Sequence, residues 1–263
     1  ASIRHAAVGV NQTGIRMTSL LLVLCAAHAF MPSPPTLQRR ATQTHAIRNW
    51  WSGASSDRDW RAALREACAG VSAVLNNADD DAAVLALCFA SRGHAQYIGP
   101  IGEAFDEEVG GATSVALIGG GVVGGAGDER EDGATNEQRQ TDNSEAAPSL
   151  SVLVGVLPKG SSIEAASFAP DKTPPPKTKA ERWQELLGAS PRACLVFADP
   201  SARWLGRSCG ALDAHFPDCV VGGGLTCGGM TLGGALLPAG ATGAVALGGP
   251  RLRVDCVASQ GCA

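Results

Sequence analysis

Three short segments carry residue types that could do chemistry: Gly119-Gly120-Gly121, Gly222-Gly223-Gly224 and Ser259-Gln260-Gly261-Cys262. The glycines offer bare backbone and access to positive φ. The last segment adds a hydroxyl, a thiol, and an amide that both donates and accepts. In "ALIGGGVVGG", Gly119, Gly121 and Gly124 fit the G-x-G-x-x-G spacing of a dinucleotide loop. That chemistry needs a helix opening directly after the third glycine, with its N-terminus on the pyrophosphate. This chain continues Gly125-Ala126-Gly127-Asp128-Glu129, where carboxylates would repel a phosphate. The second triplet runs into Leu225-Thr226-Cys227-Gly228 and lacks the spacing. No cofactor is expected. Two readings of the glycines stay open: tight bends at strand ends, or a small ligand resting on exposed amides.

Cys262 could act as a nucleophile only if a base or a positive charge lowered its pKa, and no sequence neighbour supplies one. The chain has nine cysteines. Most sit in apolar runs such as "LALCFAS", "RACLVF" and "RVDCVAS", so buried free thiols are expected. No C-x-x-C pair and no histidine at ligand spacing occurs, so no metal site is expected. His94, in a Ser-Arg-Gly-His segment after a strand, reads as a surface loop. His215, beside Phe216, reads as a partly buried helix end. No G-x-S-x-G elbow is present, and no catalytic residue is assigned.

The elements that must position these groups are written twice. After Ser56-Asp57-Arg58-Asp59, a capping box in outline, Trp60, Leu64, Ala67, Val71, Val74 and Leu75 recur at helical spacing. "AAVLALCFAS" is a continuous apolar strand of the kind covered on both faces. Ile98, Ile101, Phe105 and Val109 mark a helix stopped by Gly110-Gly111, and "TSVALIGGG" and "SLSVLVGVLP" are strands. The second half answers with "ERWQELLG", "RACLVFADP", a helix through Trp204, Leu205, Cys209 and Leu212, then "DCVVGGG". "GAVALGGPRLRVDCVASQGC" closes it as a hairpin about Gly248-Gly249-Pro250. The expected fold class is α/β: two related α-β-α-β-β repeats with mixed sheets. Phe89 should match Phe197, and Gly119 should match Gly222 at equivalent strand ends. From Phe to triplet is 30 residues in one copy and 25 in the other.

Two polar segments interrupt the pattern. Residues 125–148 hold seven acids, two arginines and no large apolar side chain. Residues 158–179, with Pro174-Pro175-Pro176, read as the linker between halves at about 57–157 and 180–263.

Charge divides the chain differently. Residues 1–56 hold five arginines and no acid, leaving 16 of the 21 basic residues against all 25 acids in the body, a net charge of −9. An acidic body argues against nucleic acid as a partner. Residues 17–29, "MTSLLLVLCAAHA", end in the small-x-small pattern of a signal peptide, with cleavage expected between Ala29 and Phe30. The apolar run is too short for a stable membrane span. Residues 30–56 have transit-peptide composition. A signal peptide followed by a segment opening on an aromatic resembles the bipartite presequence of plastids of secondary origin. Import into the plastid (chloroplast) of a secondary-endosymbiotic alga is therefore expected, with secretion or a mitochondrial address as alternatives. Residues 1–16, upstream of Met17, read as a leader outside the native protein.

"LALCFAS", "ALIGGGVVGG", "SVLVGVLP", "CLVFADP", "VVGGGLT" and "VASQGCA" together resemble the FIST domain, whose name abbreviates F-box and intracellular signal transduction. The similarity runs from about Trp60 to Ala263, and Ser259-Gln260-Gly261-Cys262 is its most specific part. It implies a sensory module that binds small ligands such as amino acids. It also implies a C-terminal half beyond Ala263, so the domain at 57–263 is expected to be truncated. Gly119, Gly120, Gly121, Gly222, Gly223, Gly224, Ser259, Gln260, Gly261 and Cys262 are the candidate ligand-binding residues. Two function classes stand: a non-catalytic sensory domain with a small-molecule ligand, or a thiol- or carboxylate-dependent hydrolase at the same loops. What separates them is a base within hydrogen-bond reach of Cys262 or Ser259.

Overall fold

The structure, a computed structural model, describes residues 49–79, 81–119, 148–171 and 178–254. The assignments to Ala29, Phe30, Gly120, Gly121 and Ser259 through Cys262 lie outside these residues.

The first half runs β1 (Trp50–Ser55), α1 (Trp60–Cys68), α2 (Val71–Leu75), β2 (Val84–Ala90), a 3-10 turn (Arg92–Tyr97), α3 (Ile98–Val109), β3 (Thr113–Ile118) and β4 (Leu150–Val156). The second runs β5 (Ser162–Phe168), α4 (Ala180–Leu187), β6 (Pro191–Ala198), α5 (Leu205–His215), β7 (Val220–Leu225), β8 (Met230–Leu232), β9 (Ala235–Leu236) and β10 (Thr242–Gly248). The strands form a six-stranded sheet, β1-β4-β2-β3-β8-β9, and a four-stranded sheet, β5-β10-β6-β7.

Local chemistry accounts for the boundaries. Asp59 caps α1, its Oδ1 accepting from the backbone N–H groups of Arg61 (2.8 Å) and Ala62 (3.2 Å). Those bonds hold its carboxyl below the usual range. Trp60, Ala63, Leu64, Ala67 and Cys68 are buried at helical spacing, which fixes the face that meets the sheet. Gly110, at φ +20°, ends α3.

The packing is four layers: helices, sheet, sheet, helices. On β2, Ala86, Cys88 and Ala90 face α1, α2 and α3, while Leu85 and Leu87 face the other sheet. The inter-sheet core joins Leu85, Leu87, Val115 and Leu117 to Leu195, Phe197, Val245 and Leu247. Trp183 and Leu187 of α4 and Ala211 and Leu212 of α5 cover the far face of the second sheet. Strands buried on both faces read as unbroken apolar runs for this reason.

Mixed sheets appear as expected, and their wiring is the same in both halves. β2 pairs with β3 in parallel and with β4 antiparallel; β6 pairs with β7 in parallel and with β10 antiparallel. β1 on β4 and β5 on β10 complete each set, both antiparallel. The Ala90 carbonyl accepts from the Gly119 N–H and the Ala198 carbonyl from the Thr226 N–H, each at 2.8 Å, so Phe89 and Phe197 occupy matching places.

Two elements differ from the composition-based boundaries. Trp50–Ser55, assigned to the transit-like segment, is β1. Its Trp51 indole N–H donates to the Ala67 carbonyl at 3.0 Å, tying the strand to α1. Ser162–Phe168, assigned to the linker, is β5, an edge strand whose Ser and Glu residues are exposed and whose pattern is therefore polar. Each half thus begins one strand earlier, as β-α-β-α-β-β, with β8 and β9 inserted in the second.

Candidate functional site

The carboxyl ends of the parallel strands meet at one pole of the molecule. In the first sheet Ser55, Leu150, Ala90 and Ile118 stand in register there; in the second, Phe168, Thr242, Ala198 and Leu225 do. Consecutive residues join the two rows. The Thr226 N–H donates to Ala198 at 2.8 Å, and the Cys227 N–H donates to the Ile118 carbonyl at 2.7 Å. The outer carboxyl ends of strands are where open α/β sheets take ligands.

Gly119 lies at this pole, just past β3, but its N–H is already spent on Ala90, so it offers no bare amide. The second triplet lies elsewhere than expected. Gly222, Gly223 and Gly224 are inside β7, opposite Leu195, Val196 and Phe197. Val115, Ala116 and Leu117 hold the corresponding positions in β3, opposite Leu87, Cys88 and Phe89. The residue that matches Gly119 is Thr226, not Gly222. The matched spacings from Phe89 and Phe197 then become 30 and 29 residues, and the apparent five-residue difference shrinks to one.

Each glycine of β7 has its own geometry. Gly223 has φ +143°, and a Cβ there would collide with the Val196 backbone. Gly222 and Gly224 share the inter-sheet side with Leu195 and Phe197, and no described residue lies within 4 Å of a Cβ built on either. Among the described strands β7 is also an edge, so about half its backbone groups face away from β6.

Three residues with buried polar atoms that have no partner among the described residues lie at the same pole. Thr226, 1% exposed, has a hydroxyl with no hydrogen-bond partner among the described residues, and so does Thr242 at the start of β10. His94 is fully buried, a correction to its reading as a surface residue, and neither ring nitrogen meets hydrogen-bond geometry with a described residue. Burial pushes its pKa below the ordinary imidazole value; the Asp57 backbone and the Asp57 and Asp59 carboxylates pull the other way. The 3-10 turn carries it inward because Ser91 anchors the turn, its hydroxyl accepting from the Ser149 N–H at 2.9 Å. A Cβ on Gly228 would touch Ala95 and Ile118, so the segment after Thr226 lies against this turn. At the corresponding place in the second half, Asp199 accepts from the Ser201 hydroxyl (2.6 Å) and N–H (2.8 Å). Those bonds hold its carboxyl below the usual range.

Sequence reasoning missed Thr226, Thr242 and a buried His94. The position of His94 directly after the carboxyl end of a central strand was the available signal. Nothing in the sequence distinguishes Thr226 or Thr242 from ordinary strand ends.

The described thiols are free: Cys68, Cys88 and Cys194 buried, Cys209 and Cys219 half-buried, Cys227 exposed. Burial pushes Cys68 and Cys194 up to about 12, far from thiolate chemistry at neutral pH. Among the described residues no cluster of three or more His, Cys, Asp or Glu could hold a metal ion. No described helix is long and apolar enough to cross a membrane. Two clefts lie away from the pole. One of about 130 Å³ is lined by Asn77, Asp79 and Lys159 near the start of β2, and one of about 520 Å³ runs between α1 and α3. Neither is lined by a residue assigned to the site from sequence.

No curated protein matches the chain. The FIST N domain family model matches residues 84–263. The match starts at the first residue of β2 and spans both parallel strand pairs, both glycine triplets and Ser259–Cys262, while β1 and α1 precede it in the same sheet. With more than half of its length matched, the chain belongs to the FIST N domain family, sensory domains of signal transduction.

Proposed function

We propose that this domain is a non-catalytic sensor that reversibly binds a small polar metabolite, amino-acid-like in charge and size, at the pole where β3 and β7 end. The observation that carries the reading is the inter-sheet face of β7. Where β3 fills that layer with Val115 and Leu117, no described residue lies within 4 Å of a Cβ added to Gly222 or Gly224 of β7, and the row ends at the Thr226 hydroxyl, which has no hydrogen-bond partner among the described residues. Buried polar groups without partners call for an occupant that supplies them. Bare glycine lets such an occupant approach the backbone. Ser259, Gln260, Gly261 and Cys262 complete the proposed site, with Gln260 both donating and accepting. None of the three segments contains Lys or Arg, which favours a zwitterion over a phosphate ester.

Calorimetry against a panel of free amino acids tests this. Binding is expected for the native chain. Gly224→Leu, which installs the residue β3 carries at that place, should abolish it with the melting temperature unchanged. Gln260→Ala should also abolish it. Absence of heat across the panel, together with hydrolysis of an ester or amide that Cys262→Ala removes, would replace the sensor with the hydrolase.

A further inference from the structure

On the helical face of the six-stranded sheet, α1 and α3 lie side by side with an open groove of about 520 Å³ between them. Trp60, Leu64 and Ala104 form its apolar part. Arg61 and Arg65 line the α1 side, and Glu107 and Glu108 the α3 side. None of these four charged groups makes an ion pair with another described residue. The Arg61 guanidinium sits 4.4 Å from the Trp60 ring centre, and Tyr97 stacks on the same ring at 6.3 Å. Tyr97 is 37% exposed and is the only tyrosine of the chain.

Three of the four charges are not where helix stability would put them; Arg65, in the last turn of α1, is. Arg61 lies in the first turn of α1, and Glu107 and Glu108 lie in the last turn of α3. Each opposes the dipole of its own helix. Their placement therefore needs a reason outside the helices. Trp, Tyr and Arg are also the residues that concentrate at the energetic centres of protein interfaces. A patch with a positive wall, an aromatic floor and a negative wall is complementary to itself under a two-fold rotation, because Arg61 and Arg65 of one copy then face Glu107 and Glu108 of the other.

We propose that the α1–α3 groove is the two-fold contact surface between two copies of this chain. The surface lies across the sheet from the inter-sheet layer, so the contact stands apart from the ligand reading. Tyr97 belongs to the same 3-10 turn as His94.

Sedimentation velocity on the full chain tests it. The native chain should show a concentration-dependent dimer, weakened by salt. Arg61→Glu with Arg65→Glu should weaken self-association about 10-fold or more, and so should Glu107→Arg with Glu108→Arg. The two glutamate reversals suit the dipole of α3, and in the arginine variant the gain from Arg61→Glu offsets the loss from Arg65→Glu, so both variants should keep a melting temperature near native. An equimolar mixture of the two variants should form a heterodimer near native affinity. A native chain that stays monomeric overturns the proposal. So does dimerisation that survives either double reversal, or failure of the mixture to associate while each variant is folded.

Discussion

Where β3 carries Val115, Ala116 and Leu117, β7 carries Gly222, Gly223 and Gly224, at the same register against matching central strands. β3 is interior: β2 lies on one side, β8 on the other, and Val115 and Leu117 are 3% and 5% exposed in the inter-sheet core. β7 is an edge among the described strands, and its corresponding side chains are absent. Among the described residues, one wiring diagram is thus filled in one half and open in the other. Topology does not set packing: the same strand can close a core or border a space, depending on three residues. Glycine in a strand costs conformational entropy and contributes no contact, so three in a row imply that something other than strand stability is served.

Gly223→Val should destabilise the fold by about 4 kcal/mol, because valine cannot adopt φ +143° and its Cβ meets the Val196 backbone. In chemical denaturation the matching Ala116→Val should cost much less. Equal losses would mean that β7 relaxes freely and that its glycine is incidental. Next, Leu117→Ala should cost about 3 kcal/mol by opening a cavity between the sheets. Its counterpart Gly224→Ala should fall within about 0.5 kcal/mol of native, since no described residue obstructs the added methyl. A large loss at Gly224 would show that the β7 side of the layer is already full.

The smallest effect separates the turns after β2 and β6. His94 titrates below the ordinary imidazole value of 6.5, so the native state holds its proton less tightly than the unfolded chain. Stability should therefore decline as pH falls below 6.5, until the lowered native value is passed. Asp199 is depressed by its bonds to Ser201, so its contribution is present above the ordinary 3.8 and is lost as pH falls below that. Melting temperature against pH should show the first decline in the native chain and lose it in His94→Gln. Asp199→Asn should change only the more acidic part. A His94→Gln profile that overlays the native one would place the buried imidazole outside the titration.

Periodicity located the interior elements because burial on one or two faces imprints a repeat on the chain: α3 and β2 were legible from their apolar residues alone. β1 and β5 were not, since an edge strand is half solvated and Trp50–Ser55 continues the acid-free run of the transit-like segment. The shared wiring of the halves was legible from "LALCFAS" and "RACLVFA", but the glycine match was not. Identical letters suggested Gly119 with Gly222, while the hydrogen-bond register aligns Gly119 with Thr226. Asp57 acts on His94, and Gly228 lies against its neighbour Ala95; both are distant in sequence, and no local pattern carries such contacts.

β8 and β9 belong to the second half of the chain yet complete the sheet of the first, with Met230–Leu232 pairing along β3. In time, that means β3 emerges from the ribosome more than a hundred residues before the strand that covers its edge. Until then the nascent first half presents Thr113–Ile118 as an unpaired, uncharged strand edge, open to any other extended chain. Neither half can therefore be cut away cleanly. Separate expression of residues before β5 would leave that edge permanently exposed, and aggregation rather than a soluble half-domain is what the fold's order of assembly dictates.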